Sequence, residues 1–123
     1  MAGIAERLTA DAYLAREDPR RTELIDGVVV VTEPTVLHQR VCGLIYYALV
    51  EWTRTAEGRG TASLPLNVVL DERNVLAPDV MWFDGELSLD AANAPRVPDL
   101  AVEVRSPSTG ATTSGASPAC RSL

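Results

Sequence analysis

The sequence LIDGVVVV, residues 24–31, places an Asp-Gly pair between two apolar and largely β-branched runs. Asp-Gly is favoured in two-residue hairpin turns because both positions need positive φ angles, which Asp tolerates and Gly adopts freely. β-branched residues on either side favour extended strands. Residues 24–31 therefore predict two antiparallel strands that are joined by a tight turn and pair directly.

Helices are predicted on both sides of this hairpin. Residues 9–17 are typical of a short helix, with Thr9 as its N-cap and Pro19 beyond its end. After a loop at residues 33–35, apolar side chains recur with helical spacing at Leu37, Val41, Leu44, Ile45, Ala48, Leu49 and Trp52. We expect this face of a long helix to pack on a sheet.

The second half of the chain is rich in predicted strand. Residues 61–70 are β-prone around Pro65, which marks an edge or a bulge. Residues 75–83 predict one strand whose pairing Pro78 limits, because proline has no N–H to donate. Residues 100–104 predict a buried strand. Together with the helices, these strands predict a mixed α/β (α+β) fold built around a β-sheet.

Two acidic residues in these strands are candidates for chemistry. Glu103 interrupts an otherwise apolar strand, and Asp79 stands at the mouth of another. A buried carboxylate is costly unless it is paired, hydrogen-bonded or bound to a cation. Two carboxylates that converge would make a site of oxygen donors suited to Mg²⁺, which can activate water and neutralise phosphate charge. The alternative is that Glu103 pairs with Arg105 or Arg96 and that Asp79 caps a turn.

Three other polar residues give weaker signals. Glu23 precedes the hairpin turn and could point into the same cleft, although a solvent-exposed glutamate at a strand end is the simpler interpretation. Asp26 is expected to serve the turn. His38 lies at the first turn of the long helix, where a half-buried ring is more common than a base or a metal ligand. A serine hydrolase would need this histidine, and no Gly-x-Ser-x-Gly motif is present.

Composition excludes several classes of protein. A length of 123 residues, with 46% hydrophobic and 23% charged residues, is typical of one globular domain. The sequence contains neither a long apolar run nor a secretion signal, so we expect a cytoplasmic protein without membrane association. Cys42, Cys120 and a single histidine are too few for a Cys- or His-rich metal cluster. The net charge of −6 gives no sign of a broad phosphate-binding surface.

Four stretches, taken in their order and spacing, resemble the Uma2 family of bacterial restriction-endonuclease-like proteins. They are TELIDG (22–27), PTVLHQR (34–40), APD (77–79) and VPDLAVEVRSPST (97–109). The resemblance covers residues 8–109. It implies the fold of the PD-(D/E)xK nuclease superfamily, in which helices flank a central mixed β-sheet. The usual activity there is divalent-metal-dependent hydrolysis of nucleic-acid phosphodiester bonds.

The resemblance also assigns roles to individual residues. It implies that Asp79 and Glu103 are the acidic ligands of Mg²⁺ or Mn²⁺, and that the backbone carbonyl of Val104 completes the set. Glu23 matches an upstream glutamate that acts as an outer ligand of the metal or its water. His38 matches a histidine at a helix start, for which we expect a supporting role.

The chain departs from the superfamily at its lysine. That lysine follows the glutamate by two positions or, in this family, comes from the next helix, but the chain contains no lysine. Arg105 occupies the first of these positions. Its guanidinium can stabilise a phosphate but cannot act as a base. The expected catalytic set is therefore Glu23, Asp79, Glu103 and Arg105.

The sequence after residue 109 departs from the family as well. Residues 110–123, GATTSGASPACRSL, are low in complexity where the family has a charged helix and a further strand. We interpret residues 1–109 as an incomplete restriction-endonuclease-like domain. Residues 110–123 are then a disordered or non-native tail, and a frameshift is one hypothesis for its origin.

This departure sets our expectations of function. We expect a metal-dependent endonuclease that is inactive or barely active, with nucleic acid as its substrate and a homodimer as one option. The first alternative is a non-catalytic binding module or a degenerate remnant of a nuclease-fold protein. The second is an unrelated small β-rich protein whose acidic residues are merely ion-paired.

Overall fold

The computed structural model describes residues 7–105, which contain two helices and seven strands. In chain order they are α1 (Ala10–Leu14), β1 (Thr22–Ile25), β2 (Val28–Val31), α2 (Val36–Arg54), β3 (Thr61–Ser63), β4 (Val68–Asp71), β5 (Asn74–Leu76), β6 (Val80–Phe83) and β7 (Leu100–Val102). The chain divides into two compact units. The tail predicted at 110–123 lies outside the described residues.

The first unit takes residues 7–33, 66–77 and 92–97 of the described chain. Its antiparallel sheet has the strand order β2-β1-β5-β4. The predicted hairpin is confirmed, with Asp26 at φ 50° and Gly27 at φ 80° in its turn. Helix α1 begins where the Thr9 hydroxyl accepts the Ala12 N–H, and it is shorter than predicted. The core of the unit is formed by Ala10, Tyr13, Leu24 and Val75.

The second unit takes residues 34–65, 78–91 and 98–105 of the described chain. Helix α2 begins after Thr35, whose hydroxyl accepts the His38 N–H at 3.1 Å. The helix packs on an antiparallel sheet with the order β3-β6-β7. Cys42, Val80 and Val102 form the core between them, with Ile45, Tyr46, Leu49, Leu100 and Val104 packed against it.

The predicted packing face of α2 is wrong in part. Leu37 and Leu44 are 61% and 70% exposed, whereas the buried residues of the helix are His38 and Cys42. Apolar periodicity ranks leucine above histidine and cysteine as a core residue. His38 makes a polar contact, described below, that explains why the face of α2 with His38 and Cys42 is the buried one.

Residues 75–83 do not form the single strand predicted from the sequence. They are divided between β5 in one sheet and β6 in the other, with Ala77, Pro78 and Asp79 between them. Proline removes a ladder hydrogen bond and restricts the residue before it, which explains the break. Strand β7 is likewise shorter than predicted and ends at Val102.

The mixed α+β class predicted from the sequence is confirmed. Within residues 7–105 the strands pair antiparallel and form two sheets, an arrangement consistent with the restriction-endonuclease-like fold that the resemblance implies. The same part of the chain contains no helix with the length and hydropathy needed to cross a membrane.

Candidate metal centre

Asp79 and Glu103 lie at the same end of the ladder formed by β6 and β7. Asp79 immediately precedes β6, Glu103 immediately follows β7, and the last pair between the strands is Val80 opposite Val102. In antiparallel pairing, the residue before one member of a pair and the residue after the other are neighbours across the ladder. Strand pairing therefore brings together the backbones of these two acidic residues, which are 24 positions apart in sequence.

The Asp79 carboxylate joins the end of β7 to the start of α2. Its Oδ2 accepts the Val104 N–H at 2.8 Å and lies 3.3 Å from His38 Nε2. Asp79 is only 6% exposed, so both contacts are shielded from water. A buried carboxylate needs such partners, because burial without them costs several kcal/mol. Val104 is the residue after Glu103, so this bond fixes the Asp79 side chain against the backbone that carries the second acidic residue.

His38 is buried and faces two partners. Nε2 faces the Asp79 carboxylate, and Nδ1 lies 3.7 Å from Cys42 Sγ. A neutral ring carries one hydrogen, and the carboxylate neighbour assigns it to Nε2, which leaves Nδ1 to accept from the thiol. The sequence favoured a half-buried ring with its hydrogen bonds satisfied. The structure buries the ring fully, at 7% exposure, and gives it both partners.

Cys42 is the member of this cluster that sequence reasoning missed. It lies one helical turn after His38, and its Sγ, a ring nitrogen of His38 and a carboxylate oxygen of Asp79 are all within 4.8 Å of one another. The available signal was the four-residue spacing between the two side chains on one helix, which places them on the same face. The number of cysteines alone could not reveal the cluster, since its third group, Asp79, precedes β6 and lies 37 residues after Cys42.

Glu23 belongs to the first unit, in β1 opposite Val30. Its Oε2 accepts the Ala77 N–H at 2.7 Å, and the residue is half-buried rather than a freely exposed strand-end glutamate. The carboxylate therefore holds the backbone just before Pro78, after which the chain passes into the second unit. The role of Glu23 as an outer metal ligand stays a prediction.

Glu103, Val104 and Arg105 are half-buried and end the described part of the chain. Glu103 takes part in polar contacts with its surroundings. The backbone N–H of Val104 donates to Asp79, so the peptide that joins Glu103 to Val104 lies next to the Asp79 carboxylate. The alternative role of Asp79 in the sequence analysis was to cap a turn. In the structure its carboxylate instead contacts both the backbone after β7 and the His38 side chain of α2.

A family model described as Uma2, putative restriction endonuclease, matches residues 8–117. The chain belongs to the Uma2 family. The matched range includes Glu23, His38, Asp79 and Glu103 and extends beyond residue 109. No curated protein matches this Uma2 chain.

Two sets of candidate donors in the Uma2 chain share Asp79. The first is the oxygen set predicted from the sequence, the carboxylates of Asp79 and Glu103 with the carbonyl of Val104, of which the structure brings together the backbones of the two acidic residues and the Val104 N–H with Asp79. The other combines that carboxylate with an imidazole and a thiol, from His38 and Cys42. Oxygen donors suit Mg²⁺ and Mn²⁺, and the mixed set suits softer ions.

Proposed function

We propose that this Uma2 protein is a divalent-metal-dependent endonuclease in which Asp79 and Glu103 hold Mg²⁺ or Mn²⁺, assisted by the carbonyl of Val104. The observation that carries the proposal is the 2.8 Å bond from the Val104 N–H to the buried Asp79 carboxylate. It fixes one acidic side chain beside the backbone of the other. Membership of a family of restriction-endonuclease type supports nucleic acid as the substrate.

The residues present fit a hard divalent cation. Carboxylate and carbonyl oxygens are the ligands that Mg²⁺ prefers, and it needs only one or two carboxylates because it keeps several waters. Asp79 is already buried and oriented, so little side-chain entropy remains to be lost when it binds an ion. When bound, such an ion stabilises the developing negative charge on a phosphate and makes its bound water more acidic.

The protein's own groups then have separate tasks. Asp79 and Glu103 bind the cation and set its position relative to the sheet. His38 orients the Asp79 carboxylate through the 3.3 Å contact and is a positioning residue. Arg105, two positions after Glu103, supplies positive charge for a phosphate oxygen, but it cannot take a proton from water. The proton must therefore leave to solvent or to a phosphate oxygen, which predicts slow cleavage.

The proposal is tested by cleavage assays on single- and double-stranded DNA and RNA with Mg²⁺ or Mn²⁺. We expect slow cleavage that a chelator stops and that Asp79→Asn or Glu103→Gln lowers by about 100-fold or more, because about 3 kcal/mol of transition-state stabilisation is lost. Glu86→Gln, the same change at an exposed loop residue, is the control and should leave the rate unaltered. Cleavage that persists in chelator or in Glu103→Gln would contradict the proposal.

A second candidate function is a nucleic-acid-binding module without catalysis. It is favoured by the complete absence of lysine from the chain. This candidate predicts metal-dependent nucleic-acid binding without cleavage under any of the conditions above. The homodimer gains no support from residues 7–105, and the cytoplasmic location stays a prediction from the sequence.

A further inference from the structure

His38, Cys42 and Asp79 form a buried cluster, here called the triad, that the proposed oxygen-donor site does not use as a whole. Cys42 Sγ lies 3.7 Å from Nδ1 and 3.9 Å from Nε2 of His38, and Nε2 lies 3.3 Å from Asp79 Oδ2. The three residues are between 5% and 7% exposed. We propose that the triad binds one Zn²⁺ ion through His38 Nε2, Cys42 Sγ and a carboxylate oxygen of Asp79.

Two of the three separations between donor atoms are near those of a tetrahedral zinc site, and all three are within 4.8 Å. Zinc binds nitrogen and oxygen at about 2.0–2.2 Å and sulfur at about 2.3 Å, which puts neighbouring donors about 3.3–3.6 Å apart. The separation of Nε2 from Oδ2 is 3.3 Å, and that of Sγ from Nε2 is 3.9 Å. Sγ must approach Nε2 by a few tenths of an ångström, a distance that side-chain rotation can supply. A water molecule supplies the fourth ligand, as in zinc sites with three protein ligands.

The chemistry of the donors selects the ion. Thiolate and imidazole bind Zn²⁺ and Co²⁺ far better than Mg²⁺, which prefers oxygen ligands. Binding moves the ring hydrogen of His38 from Nε2 to Nδ1, breaks the S–H bond of Cys42, forms zinc–nitrogen and zinc–sulfur bonds and releases one proton to the solvent. Burial of the triad favours these bonds by excluding competing water, and the four-residue spacing on α2 presents both soft donors from one rigid element.

The shared carboxylate gives zinc a regulatory effect, and this step rests on the proposed function. Asp79 belongs to both donor sets, so a zinc ion held by the triad withdraws a ligand from Mg²⁺. We expect micromolar Zn²⁺ to suppress Mg²⁺-dependent cleavage. In Cys42→Ser, suppression should need about tenfold more zinc or beyond, because even outer-shell partners are worth about 10- to 100-fold in metal affinity.

The triad is tested directly by titrating the full chain with Co²⁺, whose absorption reports its ligands. We expect one equivalent to give the near-ultraviolet charge-transfer band of a cobalt–thiolate bond and the intense visible bands of tetrahedral cobalt, both removed by added Zn²⁺. Cys42→Ser should abolish the charge-transfer band. Cys120→Ser, the same change at the other cysteine, is the matched control and should keep it.

Three results would overturn the inference: cobalt that stays octahedral in the wild type, a charge-transfer band that survives in Cys42→Ser, or one that is lost in Cys120→Ser. Circular dichroism of each metal-free variant checks that it folds. If Cys42→Ser does not fold, the cobalt spectrum of Cys42→Ala and the thermal shift of the wild type with metal replace it as tests of the triad. The inference requires that micromolar Zn²⁺ raise the melting temperature of the wild type, and by more than Mg²⁺ does at the same concentration.

Glu103→Gln separates this inference from the proposed function. We expect this variant to keep the cobalt spectrum, since Glu103 is outside the triad, while it loses Mn²⁺ binding at the oxygen-donor site. A variant that gives the cobalt spectrum and still binds Mn²⁺ contradicts the proposed function and supports the triad. A wild type that loses Mn²⁺ binding on this substitution but gives no tetrahedral cobalt contradicts the triad alone.

Discussion

Asp79 connects the backbone after β7 to helix α2 in the second unit. Its carboxylate satisfies two donors from different elements, the Val104 backbone and the His38 ring, in a place with almost no access to water. Hydrogen bonds to a charged group contribute more than neutral ones, and donors left unsatisfied by its removal cost more again. The residue is therefore expected to matter for stability as well as for metal binding.

Asp79→Leu should lower the free energy of unfolding by about 2–4 kcal/mol in the absence of metal, because it leaves two buried donors without an acceptor. Asp79→Asn keeps one acceptor oxygen and should lose less. Urea denaturation at neutral pH measures both. An Asp79→Leu protein as stable as the wild type would show that these bonds do not hold β7 to α2.

A second carboxylate makes a prediction about pH. Arg20 donates to Asp18 from its side chain and its backbone, and these bonds hold the pKa of Asp18 well below its usual value of 3.8. Because the pKa is lowered on folding, the stabilisation is complete above the usual value and is lost as the pH falls below it. Asp18→Asn should lower the melting temperature at pH 7, and the difference from wild type should shrink on acidification below about pH 4. A difference that is independent of pH would contradict this.

At the scale of elements, local chemistry explains what the sequence predicts correctly. The hairpin at residues 24–31 and the N-caps Thr9 and Thr35 depend on neighbours a few positions away. Pro78 has no backbone N–H, so the sequence predicts that strand pairing is limited there. It does not predict that β5 and β6 belong to two different sheets. That outcome depends on contacts between distant parts of the chain.

The face of α2 is the element that the sequence could not orient. Its most apolar stripe includes Leu37 and Leu44, which are exposed, while His38 and Cys42 are buried. The turn of the helix follows from a carboxylate on another element, 41 residues after His38. The contact between His38 and Asp79 thus had no local signal, unlike the helical spacing of His38 and Cys42, although the resemblance to the Uma2 family named both of its residues.

Two glycines provide a matched test of the second unit. Gly60 has φ +74°, and an added Cβ would lie 2.2 Å from the Phe83 carbonyl oxygen and 2.9 Å from the Trp82 ring. Gly60→Ala should therefore destabilise by more than about 2 kcal/mol. Gly43 lies within α2 with open space around it, so Gly43→Ala should stabilise by about 0.5–1 kcal/mol. Thermal melts distinguish the two, and equal effects would contradict the close approach at Gly60.

At the scale of the whole molecule, we expect net charge to control the affinity for nucleic acid. The chain carries 17 acidic residues against 11 basic ones, all of them arginine. A net charge of −6 repels phosphates, so we expect a cation that neutralises part of the acidic surface to favour binding. We expect the affinity for a nucleic acid to rise when Ca²⁺, which supports little cleavage, occupies the oxygen-donor site.

Fluorescence anisotropy of a labelled oligonucleotide at fixed ionic strength measures this effect. Wild type and Glu86→Gln should bind about tenfold more tightly with Ca²⁺ than with chelator, a difference of about 1.4 kcal/mol. Glu103→Gln should show no such gain, because it lacks one of the two carboxylates. An equal gain in Glu103→Gln would mean that the cation acts by general screening.

Binding of Mn²⁺ to the metal-free chain, followed by isothermal titration calorimetry, tests most directly whether Asp79 and Glu103 share a cation. We predict one saturable site in the wild type, in the Glu86→Gln control and in Cys42→Ser, and no measurable binding in Asp79→Asn or Glu103→Gln. Binding to Glu103→Gln with the affinity of the wild type would contradict the shared site, and the nuclease proposal would be withdrawn.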